Sequence, residues 1–483
     1  MKFRTAVLPI AVACLAGGAA PILAGSSNHS LSTLFEATGN YQNPGARSLG
    51  LGGAFIALAD DASAAELNPA GLTQLTKPEA GLEFRRLDTV TESKYAGAYR
   101  SGRFGCFTGD LGQGPCDATF SDRKSFLSYG SLVTPFGTGS TFALYRHVLD
   151  RQHLYAILPV LDFEGGGEAT GAIADLDRHI VRTGISFARK IVGPLSVGLS
   201  LHVDSVSQVF RLTTYSTDYQ DGGALGADPT VLVQIEDSSI NQEKLGATAG
   251  VYWRPSEAFS AGVTYSTRVH FDEKRTIRYC PLDENGLAHC DFTNPFGQQL
   301  YSFDDKQSFT IPYRLGISAA YRPTTWLVVA AEGDRVSYSD TSTSFAQCAV
   351  DPSGQLCLKD SEGNGVIDGF NQVAPKDVWE LHAGAEAVVP FAGSGLIGIR
   401  AGYWHDPDHS FQYRGCTTIP NSAGQSCRNE AIFNQFFPPL GSRDHFAGGI
   451  GVAWDWGQFD VGYDWVRQTH ASTLAASVVI RMK

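Results

Sequence analysis

A two-residue hydrophobic period, returning again and again after about residue 79, restricts this chain more than any other feature. In 195–203, Leu195, Val197, Leu199, Leu201 and Val203 share one face of an extended strand. Ser196, Gly198, Ser200, His202 and Asp204 share the other. The run 245–253 sets Leu245, Ala247, Ala249, Val251 and Trp253 against Gly246, Thr248 and Gly250. In 309–321 the alternation puts Phe309, Ile311, Tyr313, Leu315, Ile317, Ala319 and Tyr321 together. Phe459, Val461, Tyr463 and Trp465, then Leu474, Ala476, Val478 and Ile480, repeat the pattern near the end. Successive strand side chains point to opposite faces, so each run has one apolar face and one small or polar face.

A secreted β-sandwich alternates in the same way, but its strands are nearer half this length. The address of the chain points elsewhere. Residues 1–24 read as an export signal: Lys2 and Arg4 give the positive start and Ala6–Leu23 the apolar run. Ile22 and Ala24 occupy the −3 and −1 places of a cleavage after Ala24. A lipoprotein reading of Cys14 fits poorly, because Ala11-Val12-Ala13 precedes it. No later stretch approaches the roughly 18 apolar residues of a spanning helix. An exported chain with half-apolar strands and no spanning helix fits a transmembrane β-barrel. The bilayer core offers backbone groups no partner, so strands there must close on themselves, with lipid on one face and lumen on the other.

The connections alternate in length. Short turns are expected near 135–138, 192–194, 254–257, 322–324, 390–394 and 455–457, and long polar loops near 101–122, 151–177, 214–242, 273–306, 338–376 and 407–442. Outer-membrane barrels pair short periplasmic turns with long external loops. Counting from 79 gives an all-β, antiparallel barrel of about fourteen strands over 79–483, with both ends periplasmic. Residues 92–100 either extend the first strand or form an extra hairpin above the membrane. Trp253, Trp326, Trp454 and Trp456 beside the short turns, and Trp379, Trp404 and Trp465 toward the other strand ends, read as interfacial girdles.

By length alone, 483 residues suggest two or three soluble domains; the repeated pattern argues for one barrel instead. A net charge of −12 gives no reason to expect a nucleic-acid partner. Eight cysteines remain after cleavage, in four local pairs: Cys106 with Cys116, Cys280 with Cys290, Cys348 with Cys357, and Cys416 with Cys427. Each pair lies in a polar stretch between strand-like runs, on the external side by the loop parity. In an oxidising compartment such thiols read as disulfides, each closure contributing roughly 2–4 kcal/mol. A metal reading is weaker, since no pair has CxxC spacing.

Before the first strand, Gly45–Leu75 breaks the pattern. It is rich in Gly, Ala and Asp and follows neither the helical nor the strand period. Too polar to span a bilayer and too Gly-rich for a long helix, it reads as a plug of turns and short helical pieces inside the wall. Asn68-Pro69 makes a stiff turn and Gly71 allows a tight backbone. Ala59-Asp60-Asp61-Ala62-Ser63, followed by Asn68-Pro69-Ala70-Gly71, resembles the N-terminal hatch of the FadL/TodX family of outer-membrane transporters. Ile399-Arg400-Ala401-Gly402-Tyr403 before Asp406-Pro407 looks like that family's late strand and loop. Gly45–Gly50 also resembles related barrels of protein secretion systems. The ending Arg481-Met482-Lys483 departs from the aromatic residue usual in such barrels.

The resemblance implies a hatch over 25–78 containing Asp60, Asp61, Asn68, Pro69, Ala70 and Gly71. It also implies passive uptake of hydrophobic molecules, such as long-chain fatty acids or hydrocarbons, across the outer membrane of a Gram-negative bacterium. In that family external loops capture ligand, the hatch shifts, and ligand leaves through a gap in the wall toward lipid. A monomer in contact with outer-membrane lipid is expected, with no required cofactor. The second expectation is a secretion-linked or adhesion barrel whose disulfide-closed loops bind protein partners.

Two further groups of residues stand out. Asp360, Glu362, Asn364 and Asp368 take positions 1, 3, 5 and 9 of a calcium-loop pattern, with Gly365 at the turn. Asn371 replaces the usual bidentate Glu, so the stretch is either a structural Ca²⁺ loop or a solvated acidic turn. Arg314, Glu380, His382, Glu386, Arg400, Asp460 and Asp464 are expected on the lumenal face, either lining a path or tying plug to wall. No GxSxG elbow or HExxH helix is present, and no enzymatic activity is expected.

Overall fold

The structure, a computed structural model, describes residues 41–95, 116–158, 172–215, 232–279, 301–341, 373–391, 393–410 and 441–482, with strand fragments at 5–6, 13–14, 98–99, 161–163, 167–169 and 412–413. Fourteen antiparallel strands make the wall. They are β1 (Glu79–Tyr95), β2 (Cys116–Phe136), β3 (Ser140–Leu158), β4 (Ala172–Val192) and β5 (Leu195–Tyr215). Next come β6 (Leu232–Trp253), β7 (Phe259–Ser266 and Val269–Tyr279), β8 (Tyr301–Ile311 and Arg314–Tyr321) and β9 (Leu327–Val336). The last are β10 (Val378–Phe391), β11 (Gly395–Asp406), β12 (Arg443–Trp454), β13 (Gly457–Val466) and β14 (Ser472–Arg481). β14 pairs with β1 from Ser472↔Asp88 to Arg481↔Glu79, which closes the cylinder and removes the edge an open sheet would expose.

The alternation read from the sequence sets the two faces. Leu199, Leu201, Val251, Ile317, Ile399, Ile450, Phe459 and Leu474 are exposed on the outside. Ser196, Ser200, Thr248, Ser318, Asp460 and Ser477, from the same strands, are buried within. Trp253, Trp326 and Trp456 lie outward beside the short turns, and Trp379 outward near the other end. Trp404 does not join them: it is buried on the lumenal face, stacked 3.8 Å from the His445 ring.

The wall is uneven in height. β2 to β6 run 19–22 residues, whereas β9, β13 and β14 run 10. A membrane strand needs only about 9–11 residues, so β2–β6 overhang the bilayer at the long-loop end. Parts of the expected loops are therefore strand: 116–122, 151–158, 172–177, 232–242, 273–279 and 301–306. Their polar composition reflects water outside the bilayer rather than irregular backbone. Residues 92–95 extend β1, while Ala98–Tyr99 pairs with Leu161–Asp162 outside the barrel ladder.

One run departs from strict alternation. β7 is interrupted at 267–268 and β8 at 312–313, where Pro312 has no N–H to donate. Across each break the inward set changes parity. Phe309 and Ile311 are buried inside, while Ile317 and Tyr321 remain outside. Val269 and Phe271 turn inward with them.

Candidate lumenal site

Residues 41–76 lie inside the cylinder. The segment forms two short helices, α1 (Ala46–Gly50) and α2 (Ala64–Leu67), and a 3₁₀ turn over Pro69–Gln74. Each piece is too short to stand alone; the wall holds them by meeting their orphan backbone groups. Ala62 O accepts from Tyr129 Oη at 3.0 Å and Ser131 Oγ at 3.3 Å, and Leu72 O accepts from Thr141 Oγ1 at 3.0 Å. Ser260 Oγ donates to Ala57 O at 2.8 Å. Glu332 Oε2 accepts from the backbone N–H groups of Phe55 and Ile56 at 2.9 and 2.8 Å. His382 Nδ1 lies 2.6 Å from Gly52 O, and Arg314 donates to Asn43 Oδ1 at 2.8 Å. These contacts come from β2, β3, β7, β8, β9 and β10, so the segment is gripped from many sides.

The motif residues have separate tasks. Asn68 is fully buried. Its Oδ1 accepts from Ala70 N at 3.2 Å, capping the 3₁₀ turn that Pro69 begins, and its Nδ2 donates to Ile56 O at 3.0 Å and Val251 O at 3.3 Å. Gly71 sits against Ala59: a Cβ there would fall 2.4 Å from the Ala59 Cβ. Ala70 leans on β5, where a Cβ on Gly198 would reach within 2.3 Å of Ala70 N. Asp61 accepts from Ser63 N at 2.9 Å and Ser63 Oγ at 2.5 Å, and burial pushes its carboxyl above the usual range. Asp60 pairs with Arg47 at 2.5 Å.

Arg47 also grips Glu386 through two hydrogen bonds, at 3.0 and 2.7 Å. Arg400 joins Glu386 to Asp460, at 2.6 and 2.7 Å. Asp60–Arg47–Glu386–Arg400–Asp460 is thus one chain of alternating charge from plug to wall. It roofs a vestibule of about 450 Å³ at the short-turn end, whose walls also carry Lys77, Glu79 and Arg481. All seven expected lumenal charges face inward, and Glu386, held by Arg400 and bound to the plug's Arg47, ties plug to wall as one of the two readings had it.

Above the plug the chemistry changes. A cavity of about 90 Å³ has an apolar side made by Ile56, Leu67, Leu149, Ile311, Pro312 and Val336, and a polar side that includes Glu66, Arg182, Arg314 and Glu380. The apolar side continues upward through Ile180, Val206, Ile240, Val269, Phe271 and Phe309.

The wall beside this cavity is open in its hydrogen bonding. β2 pairs with β3 only from Tyr129↔His147 to Phe136↔Ser140, although β2 stays paired with β1 as far as Cys116. Two bulges sit at this height. Ser128 is the extra residue in β2, and Leu149 is extra in β3. Bulges bend strands and add twist, so the two strands part here. The plug's Glu66 stands at the parting point, 2.8 Å from His147 Nδ1. Burial raises the Glu66 carboxyl, but His147 and Arg182 outweigh it and hold the group below its usual range. The sequence gives no sign of Glu66 or of the bulges, because both lie within ordinary-looking alternation.

The expected disulfides and the expected calcium loop fall elsewhere. Cys106, Cys280, Cys290, Cys348, Cys357, Cys416 and Cys427 lie outside the described residues, as do Asp360, Glu362, Asn364 and Asp368. Cys116 is described only as the backbone start of β2. None of the four pairings, Cys106 with Cys116, Cys280 with Cys290, Cys348 with Cys357 or Cys416 with Cys427, therefore enters the site built here. Among the described residues no group of His, Cys, Asp or Glu is arranged to hold a metal.

These features define a class: a closed fourteen-stranded membrane-type β-barrel with its own N-terminal segment inside. The chain is similar to the crystal structure of a Pseudomonas aeruginosa FadL homologue, with a TM-score of 0.57 and 16% identity over 91% of this chain and 98% of that one. It is also similar to the CymD monoaromatic hydrocarbon channel (TM-score 0.51, 15% identity, 92% and 99% covered) and to the Ralstonia pickettii toluene transporter TbuX (0.51, 14%, 92% and 100%). At such identities the likeness establishes a shared FadL/TodX-type fold. No family model matches the chain, and no curated protein matches it.

Proposed function

We propose that this protein is a passive outer-membrane channel for hydrophobic small molecules, such as long-chain fatty acids or hydrocarbons, in a Gram-negative bacterium. One observation carries the reading: the apolar side of the lumenal cavity adjoins the parted β2–β3 ladder, while the space below the plug is charged. A greasy molecule loses about 25 cal/mol for each Å² of apolar surface returned to water. It gains nothing from a vestibule walled by Arg47, Asp60, Glu386 and Arg400. A lateral step through β2–β3 avoids that vestibule and delivers it to lipid, past charges already paired with one another at Glu66, His147 and Arg182. In this reading the plug seals the barrel against polar solutes, Glu66 marks the exit, and the protein performs no chemistry on its cargo. The fold shared with named hydrocarbon and toluene channels supports the same substrate class. The test is removal of 45–75: uptake of a labelled long-chain fatty acid or alkylbenzene by cells changes if the plug gates the path. Unchanged uptake by a correctly inserted deletion protein refutes the gating role.

A further inference from the structure

The wall has a second seam, between β6 and β7. Their ladder runs from Gln234↔Tyr279 to Ser239↔Lys274 and resumes only at Thr248↔Ser266. Between these points regular pairing lapses, and side chains supply several of the hydrogen bonds that cross the gap. The Gln242 amide donates to Asp272 O at 2.8 Å and accepts from Asp272 N at 3.1 Å. Lys244 Nζ reaches the Asp272 carboxylate at 3.4 Å. Lower down, Ala247 N donates to Thr267 Oγ1 at 3.0 Å and Thr267 N to Ala247 O at 2.9 Å. A side-chain amide inserted between two strands holds them further apart than the direct ladder does. The seam coincides with the β7 and β8 breaks at 267–268 and 312–313, and above it the upper β7–β8 hairpin rejoins β6 through the Gln234–Ser239 ladder.

The position of the seam gives it meaning. On the inside, Ile240, Val269, Phe271 and Ile311 line its edge and belong to the apolar side of the lumen. Thr248, Ser266 and Pro312, at its foot, line the cavity above the plug. On the outside, Leu245 is 80% exposed and Tyr265 is exposed; above them stand the exposed residues Glu243, Arg268 and Asp272. That change from apolar to charged marks the lipid–water boundary on the long-loop side.

We propose that the β6–β7 seam is a second lateral port, through which hydrophobic or amphipathic molecules at that boundary reach the lumenal cavity, with Gln242 and Asp272 as its clasp. The proposal rests on the channel reading above, and it adds a path that the β2–β3 parting does not provide. A clasp of side-chain hydrogen bonds yields without breaking a β-ladder, so the port opens while the cylinder stays closed elsewhere.

The test uses the full-length protein in cells and in lipid vesicles. Gln242→Cys with Asp272→Cys is bridged by a short, reducible bis-methanethiosulfonate linker. Arg211→Cys with Asp237→Cys, bridged likewise, is the control, because those residues pair directly in the unbroken β5–β6 ladder. Bridging the seam lowers uptake of a membrane-partitioned alkylbenzene at least twofold, reductant restores it, and the control bridge changes nothing. Gln242→Ala, which removes the clasp, raises uptake. Equal uptake with and without the seam bridge, or an equal fall in the control, overturns the port. Absence of any uptake by the unmodified protein refutes the channel reading itself, which is a separate outcome.

Discussion

The fit of the plug against glycines of the wall gives a perturbation whose size follows from geometry. A Cβ at Gly402 in β11 would stand 2.2 Å from Gly52 N and 2.4 Å from Leu51 C. A Cβ at Gly198 in β5 would stand 2.3 Å from Ala70 N and 2.4 Å from Pro69 C. The clashing atoms are backbone, so no rotamer change relieves them, and the plug itself has to move. Overpacking of this kind costs about 1–3 kcal/mol per site. The two strands are far apart around the barrel, so Gly198→Ala and Gly402→Ala add to about 2–6 kcal/mol. Each single variant then raises the released fraction of plug roughly 5- to 150-fold, at a factor of ten for about every 1.4 kcal/mol. Hydrogen exchange of the 45–75 amides reads this directly, and current steps in planar bilayers read it as brief openings. Gly130→Ala is the control, because its nearest contact would be the Leu82 side chain at 3.4 Å on the lipid face. Native-like exchange over 45–75 in the double variant, with the barrel folded by heat-modifiable gel migration, refutes the docking described here.

The other expectations concern single plug contacts. Asn68→Ala strands the buried Ala70 N–H and Ile56 carbonyl and weakens plug docking by about 2–4 kcal/mol, read by the denaturant concentration at which a protease cuts within 45–75. Arg47→Ala deprives Asp60 and Glu386 of their shared cation, though Arg400 still holds Glu386. The plug loosens by about 1–3 kcal/mol and exchange rises over 45–60 before 64–74, as hydrogen exchange resolved by segment checks. Glu66 has a depressed pKa when docked, against about 4.3 when released, so its contribution is complete above that value and is lost as pH falls through the docked value. Acid therefore loosens the 64–74 region, and Glu66→Gln removes that part of the pH dependence, as pepsin accessibility at pH 2–5 measures.

How far the sequence reveals this molecule depends on which interactions carry each feature. The wall is legible because a bilayer imposes one rule on every strand: Leu199, Val251 and Phe459 meet lipid, so their neighbours meet the lumen. The plug is legible for the opposite reason. Gly45–Leu75 obeys no period because it folds as successive short turns whose leftover backbone groups are met by the wall, and Asn68-Pro69-Ala70-Gly71 keeps a local turn that a reader recognises without the fold. The apolar side of the lumen is hidden, and the cause is local. Phe309 and Ile311 alternate in phase with Ile317 through Leu315, so they read as lipid-facing. Two residues of broken ladder at 312–313 reverse that phase, and Pro312 is the only mark they leave in the sequence. The β2–β3 parting is hidden in the same way, because one extra residue in each strand, Ser128 and Leu149, is indistinguishable from ordinary strand composition. Both openings in the wall thus arise where alternation slips by one. A search for a path through such a barrel therefore belongs at the register faults, since an unbroken ladder has no room for a ligand to pass.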